Sequence, residues 1–134
     1  MKILVTGASG QLGYDVVNEL NKRGHNTIGT DIALSEKLPI VTLDITDEDA
    51  VSKTVAEINP DAVIHCAAWT AVDAAEDEEN KQKVFAINEN GTANLAKACR
   101  DIDCKMLYIS TDYVFDGQGN TPWQADCKDY APLN

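Results

Sequence analysis

Thr6-Gly7-Ala8-Ser9-Gly10-Gln11-Leu12-Gly13 stands between a short apolar run, Lys2 to Thr6, and a segment of helical periodicity, Gln11 to Arg23, closed by Gly24. Each glycine in such a junction has a physical job: Gly7 permits the tight turn, Gly10 lets backbone approach a pyrophosphate, and Gly13 lets the helix pack close to the sheet. Three glycines alone describe many strand-to-helix turns. Here the run follows a strand, opens a helix and is answered by Asp31 at the end of the next strand, Asn26 to Asp31. A separation of about 20 residues suits an acid that binds a ribose, so the junction reads as a dinucleotide site.

Working outward, strand and helix keep alternating. Ile40 to Asp44 reads as a third strand. Thr46 then caps a helix whose first turn carries Asp47, Glu48 and Asp49, acids that suit the positive end of the helix dipole, and Pro60 ends it. Ala62 to Ala67 is a fourth strand. A long helix from about Asn80 to Asp101 leads into a fifth, Lys105 to Ser110, whose apolar composition predicts a buried parallel strand. The pattern predicts an α/β fold, a Rossmann-type doubly wound parallel sheet, with residues 1–134 forming one NAD(P)-binding domain.

Composition narrows the class further. No apolar stretch approaches the roughly 18 residues of a membrane span, and the first strand runs into a glycine turn instead of a cleavage site, so the chain reads as soluble and cytoplasmic. Cys66, Cys99, Cys104 and Cys127 show no C-x-x-C spacing, which favours reduced thiols over a disulfide frame or a zinc site; no metal ligand set is expected. A net charge of −11 argues against nucleic acid or an anionic membrane as partner. It does not exclude a phosphorylated ligand, which backbone amides at a helix terminus can hold.

A second stretch carries chemistry. Ser110-Thr111-Asp112-Tyr113-Val114-Phe115-Asp116-Gly117 sets hydroxyls, an acid and a phenol at the carboxyl end of the fifth strand, where open α/β sheets bind ligands. Asp31 can accept from both ribose hydroxyls of NAD and would meet a 2′-phosphate with like charge, with only Lys37 close in sequence. Asp44 ends the third strand beside the adenine side, where it reads equally as an adenine acceptor and as a helix-capping acid. Asn88 lies on a stripe with Val84, Gly91, Leu95, Ala98 and Ile102, and a polar group there needs a partner. His65 reads as a satisfied core histidine, and the acids from Asp73 to Glu79 as a solvated helix start. Trp69 and Trp123 flank the expected cleft, with packing on a ligand and simple burial at the rim both open.

The glycine spacing, Leu43-Asp44-Ile45, Cys66-Ala67-Ala68, Asn88-x-x-Gly91-Thr92-x-Asn94-Leu95 and Ser110-Thr111 together resemble the extended short-chain dehydrogenase/reductase family. Within it, Ala67-Ala68-Trp69-Thr70-Ala71-Val72-Asp73, the Ser110 to Gly117 run, and Pro122-Trp123-Gln124 with Pro132-Leu133-Asn134 resemble the dTDP-4-dehydrorhamnose reductases. These segments span essentially the whole chain. The resemblance implies NAD(P)H-dependent reduction of the 4-keto group of dTDP-4-dehydro-L-rhamnose to dTDP-L-rhamnose, with NADP or NAD as cofactor and a dTDP-linked 4-keto sugar as partner. Carried over position by position, it implies cofactor contacts at Gly7, Ser9, Gly10, Gln11, Leu12, Gly13, Asp31, Asp44, Ile45, Cys66, Ala67, Ala68, Asn88 and Ser110. Sugar and nicotinamide contacts fall at Thr70, Val72, Asp112 and Tyr113, Thr111 becomes the catalytic hydroxyl that polarises the substrate carbonyl, and Asn88 supports the site from behind.

One family element is missing. The resemblance implies a Tyr-x-x-x-Lys pair just past the Pro-Leu-Asn segment as proton donor, and Tyr108, Tyr113 and Tyr130 have Asp112, Gly117 and Asn134 four residues on. The expectation is therefore a fold truncated before the later strands and the substrate-binding region, which binds cofactor but is inactive alone, with a homodimer possible for a full-length protein. Two other readings stay open: a nucleotide-sugar epimerase or dehydratase that recycles bound NAD, and a non-catalytic reductase-like regulatory subunit.

Overall fold

A computed structural model describes residues 1–132. Leu133 and Asn134, the end of the Pro-Leu-Asn segment, lie outside the described residues. Five parallel strands, β1 (Lys2–Thr6), β2 (Asn26–Asp31), β3 (Ile40–Thr42), β4 (Ala62–His65) and β5 (Lys105–Tyr108), form one sheet in the order β3-β2-β1-β4-β5. The chain winds outward from β1 to β3, then returns to the other side of β1 with β4. The strand order therefore reverses between β1 and β4, and their carboxyl ends frame the crevice of a doubly wound sheet.

Side-chain alternation on β1 builds two cores. Leu4 points to one face and packs with Val51 and Val55 of α2 (Glu48–Ile58), Val63, and Leu95 and Ala98 of α5 (Thr92–Asp101). Ile3 and Val5 point to the other and pack with Ala8 and with Val17 of α1 (Gln11–Lys22). Successive strand residues face opposite ways, so with both faces covered Ile3, Leu4 and Val5 are all apolar. Two short helices, α3 (Val72–Ala75) and α4 (Lys81–Phe85), precede α5.

Several boundaries differ from the sequence reading. Asp47, not Thr46, caps α2, its carboxylate accepting from Ala50 N–H at 3.0 Å. Thr46 is occupied elsewhere: its N–H and hydroxyl both donate to Asp44 Oδ1, at 2.9 and 2.7 Å. The helix ends at Ile58, with Asn59 left-handed at φ 47° before Pro60. The long helix is continuous but not uniform, since Ala86–Gly91 winds as a π segment between α4 and α5. Within the expected stripe Gly91, Leu95 and Ala98 are buried, and a Cβ on Gly91 would stand 2.7 Å from Ile45 Cδ1, so this glycine sets how closely the helix approaches the β3–α2 loop.

The fifth strand is the largest departure. It is the edge of the sheet among the described residues, and Leu107 and Tyr108 are about half exposed. Composition marked it as buried because a parallel strand ordinarily has covered faces. Here α5 packs on β5, with Met106 against the core, but among the described residues Leu107 and Tyr108 stay half open.

Candidate functional site

The glycine turn is held by backbone contact. Gly7 has φ +69°, and a Cβ there would meet Ala67 N at 2.6 Å, so the turn lies against the segment after β4. A Cβ on Gly13 would stand 2.1 Å from Gly7 O and 2.8 Å from Ala8 Cα; the close approach at Gly13 is thus to the turn itself, where the sequence reading had placed it against the sheet. Gly10 begins α1 in an extended conformation with no side-chain cap, and the first helical turn carries no acid. Uncapped amides at the positive end of a helix dipole form a binding surface for a diphosphate.

Asp31 closes the turn from the far side. Its Oδ2 accepts Ser9 N–H at 3.0 Å and its Oδ1 accepts Ala33 N–H at 3.1 Å, while the Ser9 hydroxyl donates to Ala33 O at 2.8 Å. Ser9 therefore serves the loop and lines neither of the two cavities found at the strand ends. The smaller, about 380 Å³, is bounded by Gly10, Asp31, Ile32, Asp44, Ile45 and Lys83, dimensions and chemistry that suit an adenosine. Asp44 both anchors Thr46 and reaches this cavity, so the two sequence readings of it are compatible. Lys37 rests over the Tyr14 ring, 5.7 Å from its centroid.

The larger cavity, about 1040 Å³, continues past the glycine turn. Gln11, Leu12 and Gly13 form one wall, and Thr70, Val72 and Asn88 another. Ser110, Thr111 and Tyr113 close the end nearest β5. Cys66, Ala67 and Ala68 line both cavities and join them. Burial pushes the Cys66 thiol up, so it stays protonated there. Asp112 does not line either cavity; its Oδ1 accepts from the Thr111 hydroxyl at 3.4 Å. Thr111 Oγ1 also accepts Tyr113 N–H at 3.2 Å, capping the short 3₁₀ turn Asp112–Val114. Trp123 does not line this cavity and stacks on Phe115, centroids 4.5 Å apart.

Of the residues that fix the joining segment, the sequence marked Asn88 as a polar group in need of a partner and His65 as a satisfied core histidine, but not the partners they take. Asn88 holds Trp69 by its backbone, Oδ1 accepting the N–H at 2.8 Å and Nδ2 donating to the carbonyl at 3.2 Å, so its amide is spent on positioning. His65 is buried and bonded through both ring nitrogens, to Thr6 Oγ1 at 2.7 Å and Thr92 Oγ1 at 3.1 Å. Thr6 was legible only through its register, opposite His65 in the β1–β4 ladder. Lys83, on the wall of the smaller cavity and 5.3 Å from the centre of the Trp69 ring, carried no motif. Among the described residues no three His, Cys, Asp or Glu gather as a metal site, and no helix is long and apolar enough to cross a membrane.

Residues 1–134 match the protein family described as the RmlD substrate-binding domain. The chain belongs to that family. This RmlD-family chain is 46% identical over 123 residues, 92% of its length, to a dTDP-4-dehydrorhamnose reductase of Streptomyces griseus, and spans 37% of that relative. Among solved structures, a dTDP-4-dehydrorhamnose reductase of Clostridium acetobutylicum matches with a TM-score of 0.83 at 40% identity, over 98% of this chain and 43% of that one. One from Bacillus anthracis, in complex with NADP, matches with a TM-score of 0.74 at 41% identity, over 87% of this chain and 38% of that one. The RmlD-family chain thus spans well under half the length of these relatives, and the part it spans holds the glycine turn and both cavities.

Proposed function

We propose that this chain is the NAD(P)-binding domain, residues 1–134, of a reductase that converts the 4-keto group of dTDP-4-dehydro-L-rhamnose to the alcohol of dTDP-L-rhamnose. The observation that carries the reading is a continuous two-part cavity along the carboxyl ends of β1 and β4, with an uncapped helix N-terminus at its middle and Thr111 at its far end. The chain's residues fit a dinucleotide. Asp31 and Asp44 face the adenosine part, and the backbone from Gly10 to Leu12 faces the diphosphate. Gly7 and Gly13 keep clear the close backbone contacts on which that surface depends. Once bound, a reduced nicotinamide supplies hydride.

Thr111 then turns its hydroxyl hydrogen from Asp112, a long contact at 3.4 Å, into a hydrogen bond to the substrate carbonyl oxygen, drawing electron density from the carbon that is to be reduced. Val72 and Tyr113 bound the sugar, and Asn88 keeps Trp69 in place behind it. The Tyr-x-x-x-Lys pair that would deliver the proton is not among the 134 residues, so this chain binds the cofactor without turnover. The test is to titrate NADH and NADPH separately into the chain, following nicotinamide fluorescence, and to assay the dTDP-4-keto sugar in parallel. Saturable binding with no consumption of reduced cofactor is expected. Failure of both dinucleotides to bind removes the reading.

A further inference from the structure

Cys66, Ala67 and Ala68 form the common wall of both cavities, which Trp69 continues along the larger one, and this segment is fixed by hydrogen bonds that converge on one buried side chain. Asn88 grips Trp69, while Ala67 N–H donates to Thr6 Oγ1 at 3.4 Å. Between these anchors lies His65, joined to Thr6 on one side and to Thr92 on the other.

Donor and acceptor roles follow from chemistry. Asn88 O is a carbonyl and only accepts, so the Thr92 hydroxyl, 2.7 Å away, gives it its hydrogen. Thr92 Oγ1 then has only a lone pair for His65 Nε2, which must carry the imidazole hydrogen. Nδ1 is left as an acceptor and takes the Thr6 hydroxyl hydrogen. The chain reads in one direction: Ala67 N–H to Thr6, Thr6 to His65, His65 to Thr92, Thr92 to Asn88. It links β1, β4 and the π segment that carries Asn88, a helical irregularity of the kind that recurs at functional sites. A charged imidazolium cannot complete it, because Nδ1 would present a second donor to Thr6.

We propose that His65 is a positioning residue of the dinucleotide site, a neutral Nε2–H imidazole that sets the Cys66–Trp69 wall against the glycine turn. The proposal rests on the cofactor reading above. Two measurements on the 134-residue chain test it together. In ¹⁵N-histidine-labelled protein, with His25 identified by His25→Gln, the His65 ring shows the Nε2–H tautomer. In NADH titrations, His65→Phe, which keeps a ring beside Tyr108 but no polar atom, weakens binding about tenfold. His65→Gln, which restores a donor toward Thr92, stays within about threefold of the unsubstituted chain, as does Thr92→Ser, while Thr92→Val matches His65→Phe. An Nδ1–H tautomer overturns the proposal, as does NADH affinity in His65→Phe equal to that of the unsubstituted chain. If His65→Phe does not fold, Thr92→Val against Thr92→Ser and the tautomer decide. If the unsubstituted chain binds neither NADH nor NADPH, it is the cofactor reading that fails, and the tautomer alone judges the brace.

Discussion

Asn88 and Trp69 are joined through both polar groups of one amide, at 2.8 Å and 3.2 Å, across 19 residues of sequence. That pair pins the loop after β4 to the π segment before α5, and it decides what an isosteric change there does. Asn88→Asp leaves a carboxylate oxygen facing the Trp69 carbonyl, where no hydrogen joins them. The variant is expected to lose about 1–3 kcal/mol of stability at neutral pH and to unfold at correspondingly lower urea. Unaltered urea midpoints would show that the loop is held by other contacts.

The glycines make a graded prediction. Gly24→Ala meets no atom within 4 Å and costs only the left-handed backbone conformation at φ +79°, about 1–2 kcal/mol. Gly13→Ala drives a methyl group to within 2.1 Å of Gly7 O, in the turn and not in a flexible side chain, and should cost at least about 3 kcal/mol. Denaturant curves of the two variants side by side check the order, and the reverse order would mean that the turn can move away.

The sequence made legible those features that follow from local periodicity and from glycine chemistry. The succession of strands along the chain, the first helix and the glycine turn were readable because the short apolar runs, Gly24 and the Asp31 spacing agree. The π segment was not, since one extra residue per turn shifts the Val84-Asn88-Gly91 stripe too little to break a helical pattern. The cap of α2 was misplaced because Thr46 and Asp47 are both good caps, and the bonds Thr46 donates to Asp44, which only the folded loop reveals, remove it from the contest. The exposure of β5 was hidden because composition reports what a strand would bury, not whether anything covers it. Of the site, the residues marked by motif are mostly assembled along the two cavities. The Thr6–His65–Thr92 chain required the register between β1 and β4.

Asp31 carries a prediction on cofactor choice. Its carboxylate accepts two backbone amides and borders the smaller cavity, the one proposed for the adenosine, where a 2′-phosphate would meet its charge. Asp31→Asn keeps an acceptor but removes the charge and one of the two amide bonds. NADH affinity is expected to fall about tenfold and the NADPH-to-NADH affinity ratio to rise. Parallel titrations with both dinucleotides check this; an unchanged ratio would take Asp31 away from the ribose.

Burial lowers the His65 pKa from 6.5 to about 4. Its charged form is therefore disfavoured in the fold, and below pH 6.5 the unfolded chain binds a proton that the folded chain refuses. The stabilisation is full above 6.5 and is lost as pH falls from 6.5 toward 4, with about 2 kcal/mol gone between pH 7 and pH 5 from this residue. Urea unfolding of the chain and of His65→Gln at pH 7, 6 and 5 should show a steeper decline in the former. Parallel declines would assign the acid sensitivity to other groups.

Thr111 has two duties that one pair of variants can separate. Its Oγ1 accepts Tyr113 N–H and caps the 3₁₀ turn, and its hydroxyl hydrogen is the one proposed to polarise the substrate carbonyl. Valine removes both functions and serine keeps both. In a reductase of the relatives' full length carrying this segment, Thr111→Val is expected to lower kcat about a hundredfold with NADPH affinity nearly unchanged, and Thr111→Ser to stay within about tenfold of the unsubstituted enzyme. If Thr111→Val instead raised the Kd for NADPH and left kcat alone, the residue would be shaping the cofactor wall through the turn, and the polarising role would pass to another donor.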